Sequence, residues 1–143
     1  MILYLDTSAL VKLYVSEVHE DIVLSAFREA QIRATHMLAY VEARSAFARL
    51  HRAGKLTIPE WKGVRQEFLR DWSSYLQIMA DEPNIERAAD LVEDFGLRAY
   101  DAVHLAAADY LRANAATEIT FACFDRHLNR AAKTLGLYVL ADG

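Results

Sequence analysis

The sequence predicts a single α/β domain in which helices are layered against a parallel β-sheet. Three features lead to this prediction: short apolar runs of strand length, amphipathic helical stretches between those runs, and a scarcity of residues that break helices. The 143 residues include only five glycines and two prolines, so the chain should be rich in helix. Strands that alternate with helices are joined by crossover connections and lie parallel in a layered fold.

The first half of the chain contains two predicted strands and four predicted helices. In chain order, these are strand 2–6, helix 8–14, helix 16–30, strand 32–35, helix 37–53 and a helix from 57 to about 72. Gly54 occupies the usual position just after a helix C-terminus. Thr57, followed by Pro59 and Glu60, indicates a new helix start. The aromatic residues of that last helix recur at helical spacing and are expected in the core or at a subunit interface: Trp61, Phe68 and Trp72.

The second half continues the alternation of strands and helices. In chain order, the predicted elements are strand 76–80, helix 81–95, helix 99–113, strand 119–124, helix 126–135 and strand 137–140. Asp81 is interpreted as a helix cap because Pro83 follows it in the first turn. The stretch 101–108 is apolar almost all round, which predicts a helix buried in the body of the fold. We therefore expect one domain over residues 1–143, long enough to bury a core.

The composition is that of an ordinary globular protein and limits the classes of function. Apolar residues make up 54% of the chain and charged residues 25%, and no apolar stretch approaches the length of a membrane span. The run 1–5 is too short for a signal peptide, so a cytoplasmic protein without membrane association is expected. The single cysteine, Cys123, excludes an internal disulfide and a cysteine-rich zinc site. A net charge of −4 disfavours a general nucleic-acid coat protein, but it does not exclude a nuclease.

Four carboxylates occupy positions that the predicted layout brings to one edge of the sheet. Asp6 follows the first strand, and Asp125 follows the strand predicted at 119–124. Asp101 begins a buried helix, and Glu42 lies early in the helix after the second strand. Because ligands gather beyond the carboxyl ends of parallel strands, we expect these four side chains to share one site.

Clustered carboxylates of this kind are typical of a divalent cation site. Mg²⁺ and Mn²⁺ prefer carboxylate and water oxygens, and such an ion relieves the repulsion between neighbouring acids. A bound cation lowers the pKa of water and stabilises charge on a phosphoryl group. Since the chain has no Ser-His-Asp order and no glycine-rich phosphate loop, hydrolysis of a phosphodiester by metal-activated water is the expected reaction.

Each of these acids also has a purely structural interpretation. Asp6 could simply cap the first helix, and Asp101 could interact with the positive end of a helix dipole. Asp125 has the same ambiguity and could pair with Arg126. Glu42 could belong to a solvated charged stripe on its helix. The coincidence of all four at one sheet edge favours the site.

Two further polar residues are expected to be structural. His104 lies one turn after Asp101 among apolar residues, which indicates a buried, hydrogen-bonded histidine more than a metal ligand. Cys123 lies on an apolar run and is expected to be a small buried side chain.

Four sequence blocks carry a resemblance to a known family. They are residues 3–14 (LYLDTSALVKLY), 41–46 (VEARSA), 97–106 (LRAYDAVHLA) and 124–132 (FDRHLNRAA), the last followed by a Gly-Leu pair at 136–137. In this order, and across nearly the full length, they make the chain resemble the PIN domain ribonucleases, in particular the VapC toxins of toxin–antitoxin pairs. The resemblance implies a three-layer α/β/α fold with a central parallel sheet of about five strands.

The same resemblance implies an acidic pocket that holds Mg²⁺ or Mn²⁺. Asp6 and Asp101 would be the principal metal ligands, with a supporting hydroxyl from Thr7 or Ser8. The remaining acids, Glu42 and Asp125, would complete the pocket through bound water or a second ion. A metal-bound water, oriented by one of these two acids, would then attack a phosphodiester of single-stranded or looped RNA in line.

Arginines that follow two of the acids could track the RNA backbone. They are Arg44, Arg49 and Arg52 after Glu42, and Arg126 and Arg130 after Asp125. Binding through these side chains would be strongly salt-dependent. An ordinary solvated basic face explains the same residues equally well.

The resemblance further implies a cognate small antitoxin protein, whose tail enters the pocket region, and a homodimer or a hetero-oligomer with that antitoxin. Two rival functions stay open at this point. A receiver-type domain would need paired acids after the first strand and a lysine after the last strand, and the chain has neither. A catalytically silent PIN-like module that binds RNA or protein would be expected to have lost one or more acids, and this chain keeps four.

Overall fold

The computed structural model describes residues 1–15 and 20–140, and its centre is a five-stranded parallel β-sheet. The strands are β1 (Ile2–Leu5), β2 (Ile32–His36), β3 (Leu76–Ile78), β4 (Ile119–Ala122) and β5 (Tyr138–Val139). Their order across the sheet is β3-β2-β1-β4-β5, and each neighbouring pair is parallel. The predicted parallel sheet of about five strands is confirmed.

Seven α-helices lie in the described part of the chain. They are α1 (Thr7–Lys12), α2 (Glu20–Glu29), α3 (Ala39–Arg52), α4 (Ile58–Asp71), α5 (Glu82–Phe95), α6 (Ala99–Asn114) and α7 (Arg126–Thr134). A short 3₁₀ turn, Trp72–Ser74, follows α4. Each predicted helix therefore has a counterpart, and the start predicted for the second one at 16–17 lies outside the described residues. None of these helices combines the length and apolar character that crossing a membrane requires.

Local capping interactions explain where several helices begin and end. The Thr57 side chain accepts a hydrogen bond from the Glu60 N–H, and the Glu60 side chain accepts one from the Thr57 N–H. Together these two bonds form a capping box. Asp81 accepts the backbone N–H of Asn84, so its prediction as a cap is confirmed. The end of α5 is a left-handed residue, Gly96 at φ 65°, a conformation that glycine adopts without strain.

Alternate residues of β1 face two separate cores, one on each side of the sheet. Ile2 and Tyr4 belong to a core formed with α5, α6 and α7. Leu3 and Leu5 belong to a second core formed with α1 to α4, which includes the fully buried Phe68. This alternation is the two-residue period of a strand with both faces covered. The predicted three-layer arrangement is therefore confirmed.

Two predicted boundaries at the sheet edge need correction. The strand predicted at 119–124 ends at Ala122, so Asp125 does not end a strand. Asp125 is instead the N-cap of α7, and its side chain accepts the Leu128 N–H at 2.8 Å. The strand predicted at 76–80 likewise ends earlier, at Ile78.

The order of the strands places a topological switch beside β1. The chain builds β2 and β3 on one side of β1 and then crosses over to build β4 and β5 on the other side. Asp6 continues the pairing of β1 with β4, because its backbone N–H donates to the Ala122 carbonyl at 3.1 Å. The carboxyl ends of strands at such a switch are where α/β folds bind ligands.

Candidate functional site

Asp6 lies at the centre of this edge, where β1 passes into α1. Its Oδ1 accepts the Ala9 N–H at 2.9 Å and the Ser8 hydroxyl at 2.7 Å, so Asp6 is the side-chain cap of α1. The same side chain also forms part of a cleft wall. Burial raises the pKa of Asp6, whereas its hydrogen bonds with Ala9 and Ser8 lower it, and the charge of Asp101 raises it further. A carboxylate held in this position is costly to ionise unless a cation is near it.

Glu42 reaches the same edge from the first turn of α3. The Thr7 hydroxyl donates to Glu42 Oε1 at 2.9 Å, and His104 Nε2 lies 3.4 Å from the same oxygen. Thr7 Oγ1 also lies 3.1 Å from the Tyr100 hydroxyl. Glu42 is therefore fixed by side chains of α1 and α6, which a solvated charged stripe would not require.

Asp101 enters the cleft from the first turn of α6. Arg98, the residue before that helix, places Nε and Nη2 each 3.2 Å from Asp101 Oδ2. The Asp101 side chain is 16% exposed, and the Arg98 side chain is 80% exposed. One oxygen of Asp101 is therefore held by a guanidinium that is itself largely in solvent.

Asp125 completes the set from the N-cap of α7. It is exposed, and its Oδ1 is bound to the Leu128 N–H. The preceding turn is tied down by Cys123 and Asn129: the Cys123 thiol donates to Asn129 Oδ1 at 3.1 Å, and Asn129 Nδ2 donates to the Cys123 carbonyl at 3.1 Å. These two hydrogen bonds hold the turn after β4, so Asp125 lines the same cleft as Asp6 although β4 has already ended.

All four predicted acids line one open cleft of about 920 Å³. Hydroxyl and basic side chains share its walls with them: Thr7, Ser8, Tyr100, Lys12, Arg49 and Arg98. Lys12 also lies over the ring of Phe124, which is part of the same wall. The cleft thus combines acids near β1 with three cationic side chains.

The electrostatic influence of the acids reaches two buried neighbours. Burial raises the pKa of the Cys123 thiol, and the charges of Asp6, Asp125 and Asp101 raise it further. Burial likewise raises the pKa of the Tyr4 hydroxyl well above its usual value, and the charges of Asp6 and Glu42 add to that effect. The four carboxylates therefore act on a common region of the protein interior.

The chemistry of these donors fits a hard divalent cation. Carboxylate and hydroxyl oxygens are the ligands that Mg²⁺ and Mn²⁺ prefer. Within residues 1–15 and 20–140, however, no three His, Cys, Asp or Glu side chains form a group compact enough to hold a metal ion. The arrangement is therefore a cleft with suitable donors, in which Asp101 is paired with Arg98 and Glu42 with Thr7.

The structure places three of the five arginines predicted to track RNA in different surroundings. Arg49 lines the acidic cleft. Arg44 lines a neighbouring groove, where Nη1 donates to the Tyr40 hydroxyl at 3.2 Å and the guanidinium lies 5.6 Å from that ring. Arg126 is exposed at the first position of α7. Contact with RNA stays a prediction for all three.

Sequence reasoning missed several polar residues of the cleft. Arg98 and Lys12 were not considered, although Arg98 precedes Asp101 by three residues, a spacing at which helical side chains meet. His104 is buried and hydrogen-bonded, as predicted, but its contact with Thr7 and Glu42 was not expected. No local pattern signals that contact, because Thr7, Glu42 and His104 lie on three different helices.

Comparison with known proteins assigns the chain to a family. A family model described as the PIN domain matches residues 3–134. The chain belongs to the PIN domain family. The resemblance noted in the sequence is confirmed, and the match includes all four acids of the cleft.

Curated relatives of this PIN domain align along nearly its whole length. Ribonuclease VapC46 of Mycobacterium tuberculosis is 30% identical over 139 residues, which cover 97% of this chain and 96% of that protein. Ribonuclease VapC45 of the same species is 28% identical over 138 residues, which cover 96% of this chain and 94% of that protein. This PIN domain and these relatives are therefore similar over their full lengths.

Solved structures share the fold at lower identity. FitAcB from Neisseria gonorrhoeae matches with a TM-score of 0.66 at 20% identity, covering 99% of this chain and 98% of that one. A toxin–antitoxin complex from Klebsiella pneumoniae matches with a TM-score of 0.58 at 19% identity, covering 82% of this chain and 83% of that one. These likenesses establish the architecture of the PIN domain.

Proposed function

We propose that this PIN domain is a divalent-metal-dependent endoribonuclease and the toxin of a type II toxin–antitoxin pair. The observation that carries the proposal is the convergence of Asp6, Glu42, Asp101 and Asp125 on one cleft at the carboxyl edge of the sheet. The full-length relatives named VapC ribonucleases support the choice of RNA as substrate.

In this proposal Asp6, Asp101 and Asp125 would hold Mg²⁺ or Mn²⁺. When bound, the ion would supply an activated water and offset charge on the phosphoryl oxygens. Glu42 or Asp125 would orient that water in line with the scissile bond and accept its proton. Glu42 suits this role because Thr7 fixes one of its oxygens at 2.9 Å.

Cationic side chains around the acids would hold the RNA strand. Lys12, Arg49 and Arg98 line the cleft, and the exposed Arg126 would extend the path. Each contact with a phosphate releases counterions, so binding should weaken steeply as salt rises. The net negative charge of the whole chain does not oppose this, because a local basic path decides where phosphates bind.

A small antitoxin is the proposed protein partner. Between α3 and α4 lies a groove of about 360 Å³ with apolar walls and two arginines at its rim. Its lining consists of Tyr40, Val41, Arg44, Ser45, Phe47, Ala48, Trp61 and Arg65. Because this groove adjoins the acidic cleft through Val41 and Ser45, one bound segment could fill the groove and present a basic side chain to the acids. The assembly would be a homodimer or a hetero-oligomer with the antitoxin.

A catalytically silent module that binds RNA or protein is the second candidate. It is favoured by the contacts that already engage two acids, Arg98 with Asp101 and Thr7 with Glu42. In that case the cleft would bind its ligand without hydrolysing it.

The test is cleavage of single-stranded RNA by protein stripped of metal and refilled with Mg²⁺ or Mn²⁺. We expect metal-dependent cleavage by the wild type and its loss in Asp101→Ala. Asp90→Ala, an exposed acid on α5 outside the cleft, is the matched control and should cleave normally. Binding of RNA by the refilled wild type without cleavage would instead support the silent module.

A further inference from the structure

Directly beneath the cleft lies a buried polar pair, Tyr4 and His104. Tyr4 is fully buried on β1, and His104 on α6 is 2% exposed. The Tyr4 hydroxyl lies 2.8 Å from His104 Nδ1, although 100 residues separate them in sequence. The other ring nitrogen, Nε2, lies 3.2 Å from Thr7 Oγ1 and 3.4 Å from Glu42 Oε1. The imidazole therefore connects the core to the wall of the cleft.

The hydroxyl of Tyr4 fixes the direction of these hydrogen bonds. A tyrosine hydroxyl has a usual pKa of about 10, so the phenol keeps its proton at neutral pH. A buried hydroxyl hydrogen needs an acceptor, and His104 Nδ1 is the partner within hydrogen-bond distance among the described residues. Nδ1 then accepts, and the ring hydrogen of a neutral imidazole is on Nε2.

With the hydrogen on Nε2, the remaining bonds converge on Glu42. His104 donates to Thr7 Oγ1, the Thr7 hydroxyl donates to Glu42 Oε1, and His104 Nε2 lies 3.4 Å from the same Glu42 oxygen. Because the Thr7 hydrogen is used in this way, the Tyr100 hydroxyl, 3.1 Å from Thr7 Oγ1, donates to Thr7. Thr7 thus holds Glu42 Oε1, His104 holds Thr7, and the other Glu42 oxygen is left for chemistry.

We propose that His104 is a positioning residue for Glu42: Tyr4 fixes its tautomer, and its Nε2–H holds Thr7, which in turn holds Glu42 in the catalytic arrangement. This inference rests on the proposed ribonuclease function. Groups that orient a catalytic carboxylate in this way typically contribute about 10- to 100-fold to activity. An apolar core residue could fill the same space but could not hold Glu42.

Two variants separate positioning from packing. In His104→Asn the amide lies near the position of Nδ1, so Tyr4 keeps a partner while the donor to Thr7 is lost. In His104→Gln the amide reaches towards the position of Nε2, so a donor to Thr7 is kept. His127→Asn, at an exposed histidine on α7, controls for the loss of a histidine.

In metal-loaded protein, His104→Asn should lower kcat for RNA cleavage about 10- to 100-fold with little change in KM. His104→Gln should recover most of that loss, although both variants disturb the core. If both variants lose the same fraction of kcat, and that loss follows the decrease in their Tm, His104 is only a packing residue and the inference is wrong. A second check uses Glu42→Gln: adding His104→Asn to it should lower kcat no further, whereas independent, additive losses would contradict positioning.

Nitrogen NMR of the His104 ring tests the arrangement without any activity. We expect the Nε2–H tautomer in the wild type and a shifted ring signal in Tyr4→Phe, where the partner of Nδ1 is removed. A ring protonated on Nδ1 would overturn the inference. Absence of RNA cleavage by the wild type would overturn the proposed function instead, and the ring spectrum would still decide the role of Tyr4 and His104.

Discussion

Arg98 and Asp101 form an ion pair inside the acidic cleft, with two guanidinium nitrogens each 3.2 Å from Asp101 Oδ2. The arginine is largely exposed, so little besides this contact holds it in place. A divalent cation that binds Asp101 through Oδ2 must compete with the guanidinium for that oxygen. The pair therefore sets part of the affinity of the cleft for metal.

Arg98→Gln should strengthen the binding of Mn²⁺. Exposed ion pairs contribute about 0.2–1 kcal/mol, so the dissociation constant for Mn²⁺ should fall about 1.4- to fivefold. Calorimetric titration of metal-free protein measures the change.

Arg112→Gln is the matched control for this titration. Arg112 pairs with Asp109 on the same helix at the same three-residue spacing, 2.8 Å apart and outside the acidic cleft. Its removal should leave Mn²⁺ binding unaltered. Weaker or unaltered Mn²⁺ binding by Arg98→Gln would show that Arg98 does not compete for Asp101.

His36 should make the stability of the fold dependent on pH. The ring is fully buried, with Nδ1 accepting the Leu38 N–H at 3.1 Å and Nε2 donating to Asn84 Oδ1 at 2.9 Å. Burial is the largest influence and lowers the pKa of His36, while its hydrogen bond to Asn84 acts in the opposite direction. The unfolded chain, with its pKa near 6.5, then binds a proton more readily than the folded one. The contribution of His36 to the free energy of unfolding is therefore fully present above about pH 6.5 and is lost as the pH falls below that value.

Urea unfolding at about pH 7.5 and about pH 5.5 measures this dependence. His36→Gln cannot titrate and keeps an amide donor for Asn84, so it isolates the effect of the ring. The wild type should lose more unfolding free energy between the two pH values than the variant. Equal losses in the two proteins would mean that His36 does not titrate on unfolding.

Much of the fold could be predicted from the sequence because its signals are local. Apolar runs, capping residues and glycines after helices gave every strand and helix in the described residues, in the right order. The predicted end of β4 was wrong for a physical reason. Cys123 and Phe124 are as apolar as the strand before them, yet the chain leaves the sheet there because Asn129 binds the Cys123 carbonyl and thiol. Apolar composition cannot reveal a turn that is held by a side chain six residues later.

The candidate site shows the same division between local and distant signals. The four acids could be predicted because each lies near the end or start of an element at one sheet edge. The contact of Tyr4 with His104 could not be predicted, because it depends on the packing of α6 against β1. The two interpretations of Asp6 from the sequence are compatible, because Asp6 caps α1 and also lines the cleft.

The groove between α3 and α4 should be required for neutralisation by an antitoxin. Ala48→Glu places a charge among its apolar lining without removing a core side chain. We expect the variant to arrest growth when it is expressed with the proposed cognate antitoxin, whereas the wild type is neutralised. Ala53→Glu, on the exposed end of the same helix, should be neutralised like the wild type. Full neutralisation of Ala48→Glu would place the antitoxin elsewhere.

The most direct test of the metal-dependent nuclease is the comparison of wild type with Asp6→Asn. Asparagine can still accept the Ala9 N–H and the Ser8 hydroxyl, so α1 keeps its cap and the fold should survive. The measurement is the rate of RNA cleavage by metal-free protein refilled with Mg²⁺, with circular dichroism as the check on folding. Because loss of a metal ligand should cost more than loss of a group that merely orients one, we expect the rate to fall by at least about a hundredfold. Undiminished cleavage by a folded Asp6→Asn would contradict the account.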